Sequence, residues 1–378
     1  MILKKVSYVE FQSSPQEWRL DELELGQSNL LVGKNASGKT RALNVISGLA
    51  RYLSGLSPIS VSGSYVCEFH RGNDVYKYSF DTLDQKVTAE TLSYNDNSVI
   101  ERGAEGKGTI WADKLGLNLE FQSPTESLTA AIRRDAIQHP FLEPLYEWAS
   151  TLRHYTFGTP LGKETMAHLA KNALPVDARE QNTVVGLFLR AKKEYPEVFI
   201  KRLIGDFSRV GYDINSIDVG APVSIQFIGL PMDLVGLNVQ ETALPGVTDQ
   251  FSMSQGMFRA LSLLIHMNYC QLSNTGSTVL IDDIGEGLDF DRSCRLIELL
   301  REKALGSAIQ LVMSTNDRFV MNQVPLDEWS VLQRDRGTVH VRNVGNSRDI
   351  FESFKFTGLS NFSFLEMDFI NTGTEMSF

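Results

Sequence analysis

Apolar and polar positions follow two periods along this chain, and their order predicts an α/β protein. Residues 2–11 and 17–24 mix apolar and polar positions around a polar break, and residues 29–32 form a short apolar run ending at Gly33; all three predict strands. From Lys39 onward, Leu43, Ile46, Leu49 and Leu53 recur every three or four positions, the period of a helix with one buried stripe. The chain thus opens with strand, glycine-rich turn and helix.

Residues 65–122 alternate short apolar runs with turn clusters at 70–73, 95–98 and 103–108, which predicts an antiparallel meander. Residues 125–205 are helix-permissive but interrupted by Pro140, Pro144, Pro160, Pro175 and Pro196, so no single long helix can run through them. Strands are expected at 223–228 and 233–239, then a helix over 256–271, a strand at 278–281, a helix over 291–303 and a strand at 308–313. That last series predicts parallel strands covered by helices. The expected organisation is an N-terminal lobe at 1–123, a helical subdomain at 124–215 and a C-terminal lobe at 216–378.

Composition narrows the class. Apolar residues at 42% against 22% charged are those of a globular chain. The 36 Lys and Arg against 46 Asp and Glu leave a formal charge of −10, so a broadly basic nucleic-acid coat is excluded and any DNA or RNA contact needs a local patch. Cys67, Cys270 and Cys294 form no CxxC pair, which argues against a disulfide framework or zinc module and predicts a reduced, cytoplasmic setting. Neither a secretory leader nor an apolar run of the roughly 18 residues that span a bilayer is present, so no membrane association is expected.

Candidate chemistry starts at GKNASGKT, residues 33–40, which fits GxxxxGK[ST] between a predicted strand and a predicted helix. Gly33 and Gly38 let Asn35, Ala36 and Ser37 turn their backbone N–H groups toward phosphate oxygens. Lys39 would face the β- and γ-phosphates, and the Thr40 hydroxyl would ligate Mg²⁺. The strand TVLIDD ends in two acids: Asp282 is placed to hold Mg²⁺, and Asp283 to meet an attacking water. Before the 256–271 helix, Ser254 and Gly256 offer a second anion site, although such residues also cap helices without binding anything.

The ordered set GKNASGKT, SQG before a helix, LIDD, Gly287-Leu288-Asp289, and Ser314 to Asp317 after the next strand resembles an ABC-type P-loop ATPase head. The form of the loop is similar to the SMC and RecF group and to OLD-like AAA ATPases of bacterial anti-phage systems such as Septu and PARIS. The resemblance implies an N-terminal antiparallel β-lobe, a mixed or parallel core sheet and an inserted helical subdomain. It also implies ATP and Mg²⁺ as cofactors, and a homodimer or higher homo-oligomer in which Ser254 and Gly256 of one copy cap the γ-phosphate held by Lys39 of another. Asp289 matches the D-loop position across such an interface, Asn316 the switch-histidine position, and Gln122 is the candidate lobe-coupling glutamine and metal contact. A separate effector protein is the expected partner.

Asp283 stands where the family has glutamate, one methylene longer, and Asn316 where it has a titratable histidine. Slow hydrolysis follows as an expectation, with Glu286 as a reserve acid. The interrupting prolines rule out coiled-coil arms, and no nuclease-type acidic or histidine cluster follows. Two other functions fit the same motifs: a RecF-like ATPase that clamps DNA, for which Arg133, Arg134, Lys192, Lys193, Lys201 and Arg202 form the candidate strip, and a scaffold that binds ATP without turnover. The phenylalanine-rich tail at 351–369 is expected to pack into the core.

Overall fold

The computed structural model describes residues 1–168, 183–224 and 234–372. It divides into two units, Met1–Leu152 with Val324–Phe378, and Arg153–Gln323.

The first unit opens with β1 (Ile2–Glu10), β2 (Trp18–Glu24), β3 (Ser28–Val32) and α1 (Lys39–Leu53). The meander follows as β4 (Gly63–Arg71), β5 (Asp74–Leu83), β6 (Lys86–Tyr94), β7 (Asn97–Arg102), β8 (Lys107–Ala112) and β9 (Leu117–Gln122), then α2 (Thr129–Ile132) and α3 (Glu143–Thr151). The second unit holds β10 (Arg153–Thr156), β11 (Ala167–His168), α4 (Val184–Glu194), α5 (Pro196–Val210), β12 (Ile214–Gly220), β13 (Leu234–Glu241), β14 (Thr248–Asp249), α6 (Gln255–Ser273), β15 (Ser277–Asp282), α7 (Phe290–Leu305), β16 (Ile309–Ser314) and α8 (Arg318–Gln323). The chain returns to the first unit with β17 (Trp329–Asp335), β18 (Thr338–Asn343), α9 (Val344–Lys355), α10 (Asn361–Glu366) and α11 (Phe369–Thr372).

In the first unit the sheet runs β3-β17-β18-β2-β1-β4-β5-β6-β7-β8-β9. β3 lies parallel to β17 and is buried at every position, which is why it reads as a continuous apolar run without alternation. From β1 to β9 all pairings are antiparallel, as the turn clusters foretold. Leu43, Ile46, Leu49 and Leu53 of α1 are fully buried, so the periodic stripe is the packing face. Phe351, Phe354, Phe364 and Phe369 are buried too, with Phe351 and Phe354 ring centroids 4.7 and 5.0 Å from that of Phe364; the tail is core, and Phe356 is its exposed exception.

In the second unit β15 lies between β10 and β16, all parallel. Parallel strands bring their carboxyl ends to one edge, where Thr156, Asp282 and Ser314 now sit together. β13 separately pairs with β11, β12 and β14.

Two expectations are corrected. β10 is a strand in a stretch read as helical; at four residues with polar His154 and Thr156 it carries no alternation to detect. The strand expected at 223–228 begins in bends at Val223 and Ser224, with the rest outside the described residues, while β12 was not foreseen.

Candidate functional site

The phosphate-loop residues wrap between β3 and α1. Ala36 (φ 63°) and Gly38 (φ 107°) take left-handed backbone conformations that aim successive N–H groups inward. A Cβ at Gly33 would come within 2.5 Å of the Leu332 carbonyl and 2.6 Å of Ser37 Oγ, and one at Gly38 within 2.9 Å of Val339, so neither glycine is replaceable without displacement. Gly38 is the N-cap of α1 but supplies no side chain, and no acid lies in the first turn, so the positive end of a 15-residue helix faces the loop.

Lys39 is buried and its ammonium donates to the Gly33 carbonyl at 2.8 Å and the Lys34 carbonyl at 3.3 Å. Ser37 Oγ is buried with no hydrogen-bond partner. Thr40 and Asn35 are exposed. An uncapped helix start, a folded-back lysine and an orphan hydroxyl are the donor set of an anion site. A cleft of about 630 Å³ opens beside the loop, bounded by Asn35, Leu332, Arg334, Arg336 and Asp368. Gln122 is placed elsewhere: it ends β9, at the opposite end of the sheet order from β3, and its amide reaches the Glu105 carbonyl at 3.4 Å.

The second unit collects the other candidates. Asp282 is buried at the end of β15 and accepts a bond from the Ser314 hydroxyl, whose oxygen in turn accepts from the Asp283 N–H at 3.0 Å. The Asp283 backbone there takes a left-handed conformation (φ 54°), and the residue is half-buried. Asn316 is exposed two residues past the end of β16.

Ser254 caps α6, its hydroxyl accepting from the Met257 N–H at 3.1 Å. Gly256 is buried, and a Cβ there would lie 2.4 Å from the Gly287 carbonyl, so the start of α6 and the turn after β15 touch at backbone distance. Asp289 caps α7 through the Arg292 N–H and pairs with the Arg292 guanidinium at 2.8 Å; those bonds hold its carboxyl below the usual range. Exposed Glu286 extends its carboxylate to within 3.5 Å of where a Gly158 Cβ would stand.

Two residues took on roles that motif matching did not assign. Ser314 orients Asp282, and Arg259, buried one turn into α6, donates to the Glu286 carbonyl at 2.6 Å and the Thr159 carbonyl at 3.3 Å. An arginine inside an otherwise apolar helix stretch was the available signal. Of the basic candidates, Arg134 pairs with Glu143 and Lys192 with Asp218, Arg133 lies over the Phe121 ring, and Lys193, Lys201 and Arg202 are exposed.

The fold is similar to that of a solved SMC head bound to the C-winged helix domain of ScpA, at 14% identity over 90% of this chain and 97% of that one, with a TM-score of 0.52. The SMC head domain from Thermotoga maritima (14% identity, 91% and 99% coverage, TM-score 0.44) and that from Pyrococcus furiosus with an extended coiled coil bound to the C-terminal domain of ScpA (13%, 93% and 99%, 0.44) are more distant in shape. No protein-family model and no curated protein matches the chain. The architecture is therefore a mixed α/β fold similar to that of an SMC head. Among the described residues no helix is long and apolar enough to cross a membrane.

Proposed function

We propose that this chain is an ABC-type ATPase that binds ATP with Mg²⁺ at the 33–40 loop and closes into a dimer around it. The observation that carries this is the uncapped start of α1, wrapped by the left-handed Ala36 and Gly38 and lined by buried Lys39 and the unpartnered Ser37 hydroxyl. Magnesium bound with the nucleotide would neutralise phosphate charge; Thr40 and Asp282 are the residues to hold it. Lys39 exchanges loop carbonyls for phosphate oxygens, and Asp283 positions and accepts a proton from water. Ser254 and Gly256 of the second copy cap the phosphate, with Asp289 across the same interface. Gln122 has no supporting contact with this set.

Turnover is slow in this reading, because the Asp283 carboxyl is short and its backbone is tied to Ser314, while Asn316 cannot exchange a proton near neutral pH. The SMC head of similar fold is bound to a ScpA domain, which supports a separate protein partner here; the form of the loop favours a regulatory subunit of an anti-phage complex. The net charge of −10 and the engagement of Arg134 and Lys192 by carboxylates count against a DNA clamp.

The test is direct. Lys39→Ala should abolish binding of a fluorescent ATP analogue, and Asp283→Asn should accumulate an ATP-dependent dimer seen by light scattering. Unchanged affinity in the first, or a monomer at saturating ATP and magnesium in the second, refutes the reading.

A further inference from the structure

A second cavity, of about 890 Å³, lies on the meander of the first unit and takes no part in the nucleotide chemistry above. Strand register builds its floor. Tyr76 of β5 stands opposite Tyr94 of β6, Tyr94 opposite Asn97 of β7, and Trp111 of β8 opposite Asn118 of β9. Tyr76, Tyr94 and Asn97 share the sheet face of Ile100 and Ile110, whereas Trp111 and Asn118, each next to a residue of that face, share the other; all five border the cavity. The Tyr76 and Tyr94 centroids are 4.9 Å apart, and buried Phe141 joins the lining from the turn before α3.

The charge around these rings is negative. Asp74, Asp96 and Asp113 line the cavity against Arg71, whose guanidinium lies 3.8 Å from Glu147. Asp96 is engaged by Lys77 at 2.8 Å and Asp74 by the Asn95 amide at 2.9 Å. Asp113 is exposed and meets the Trp111 indole N–H at a long 3.4 Å, which leaves its carboxylate able to accept a further donor. Ring faces attract ammonium and guanidinium groups, and a neighbouring carboxylate adds a charge-assisted bond. The volume exceeds that of one side chain, which leaves space for flanking backbone.

We propose that this cleft receives an arginine or lysine side chain from an extended segment of a partner protein. The cation lies against Trp111 beside Asp113, and Asn118 pairs with the segment's backbone.

The experiment titrates the full chain with capped Gly-Arg-Gly and Gly-Lys-Gly peptides and with the citrulline counterpart, which keeps the shape of arginine without its charge, by calorimetry and tryptophan fluorescence. Saturable binding of a cationic peptide, about tenfold or more weaker for citrulline, is expected from a site dominated by cation–ring and ion-pair contacts. Trp111→Leu and Asp113→Asn should each weaken it at least severalfold, while Lys39→Ala leaves it unchanged. Asp113 is exposed, so its variant keeps the fold even where Trp111→Leu does not. Equal binding of citrulline, no saturation by either cationic peptide, or undiminished binding in Asp113→Asn overturns the proposal. So does a Trp111-dependent response to adenosine monophosphate without one to the peptides.

Discussion

Arg259 donates from Nη1 to the carbonyl oxygen of Glu286 at 2.6 Å, and its Nη2 reaches the Thr159 carbonyl at 3.3 Å. One guanidinium therefore joins the start of α6, the turn after β15 and the segment after β10. Burial pulls its pKa down and the Glu286 charge opposes that, so the buried cation depends on these acceptors. Arg259→Gln leaves two inward carbonyls without their charged donor, and a loss of about 1–3 kcal/mol is expected. Urea denaturation without nucleotide reads it; a variant as stable as the parent would show that the carbonyls find water instead.

Gly256 and Ser254 are open to two explanations, helix architecture and phosphate capping, and stability separates them. A Cβ at Gly256 would sit 2.4 Å from the Gly287 carbonyl and 2.8 Å from Leu288, so Gly256→Ala should cost about 1–3 kcal/mol by overpacking, before any nucleotide is present. Ser254→Ala loses the bond to the Met257 N–H and should cost about 1 kcal/mol. Ser254→Asn restores the cap. If the hydroxyl also closes on phosphate, Ser254→Asn should melt like the parent yet fail to form the ATP-dependent dimer; a variant that dimerises normally reduces Ser254 to a cap.

Local patterns in the sequence account for the elements that carry the candidate chemistry. The phosphate loop was legible because strand, glycine turn and amphipathic helix are contiguous, and the stripe on α1 and the run of β15 follow from burial on one face and on two. β10 escaped because its place beside β15 is a pairing with residues more than a hundred positions away, Arg153 with Val279 and Thr156 with Asp282. Gln122 shows the converse limit: a glutamine at a strand end is visible in sequence, but the strand's place in the sheet order is not. Ser314 and Arg259 act through partners 32 and 27 residues distant in the chain, which no short motif records.

His266 sets a pH dependence. It is buried in α6 with Tyr155 Oη 3.1 Å from its Nδ1, and burial, helped by the nearby Arg153 charge, pulls its pKa well below the ordinary 6.5. The folded chain keeps this ring neutral while the unfolded chain protonates it near pH 6.5, so the unfolded state binds more protons below that value. The contribution is complete above pH 6.5 and is lost as the pH falls. Melting temperatures between pH 8 and pH 5 should decline more steeply for the parent than for His266→Gln, whose amide carries no proton equilibrium. Parallel declines would place the acid sensitivity elsewhere.

Glu90 and Arg102 form a fully buried ion pair at 3.2 Å between β6 and β7, and the surroundings decide what breaking it costs. Glu90 also accepts from Tyr78 Oη and from the Thr129 and Ala130 N–H groups at the start of α2. Arg102 donates to the Pro124 and Ser127 carbonyls. The pair therefore fastens the 123–130 segment to the meander. Arg102→Met strands a carboxylate without its cation and should cost about 3–5 kcal/mol, whereas removing both charges relieves part of that penalty. Glu90→Gln with Arg102→Met should accordingly be less destabilised than the sum of the two single variants, by the 0.5–3 kcal/mol or so typical of contacting residues. Strict additivity in the double-mutant cycle would mean that Glu90 is held by its backbone donors alone, with Arg102 serving only the 123–130 segment.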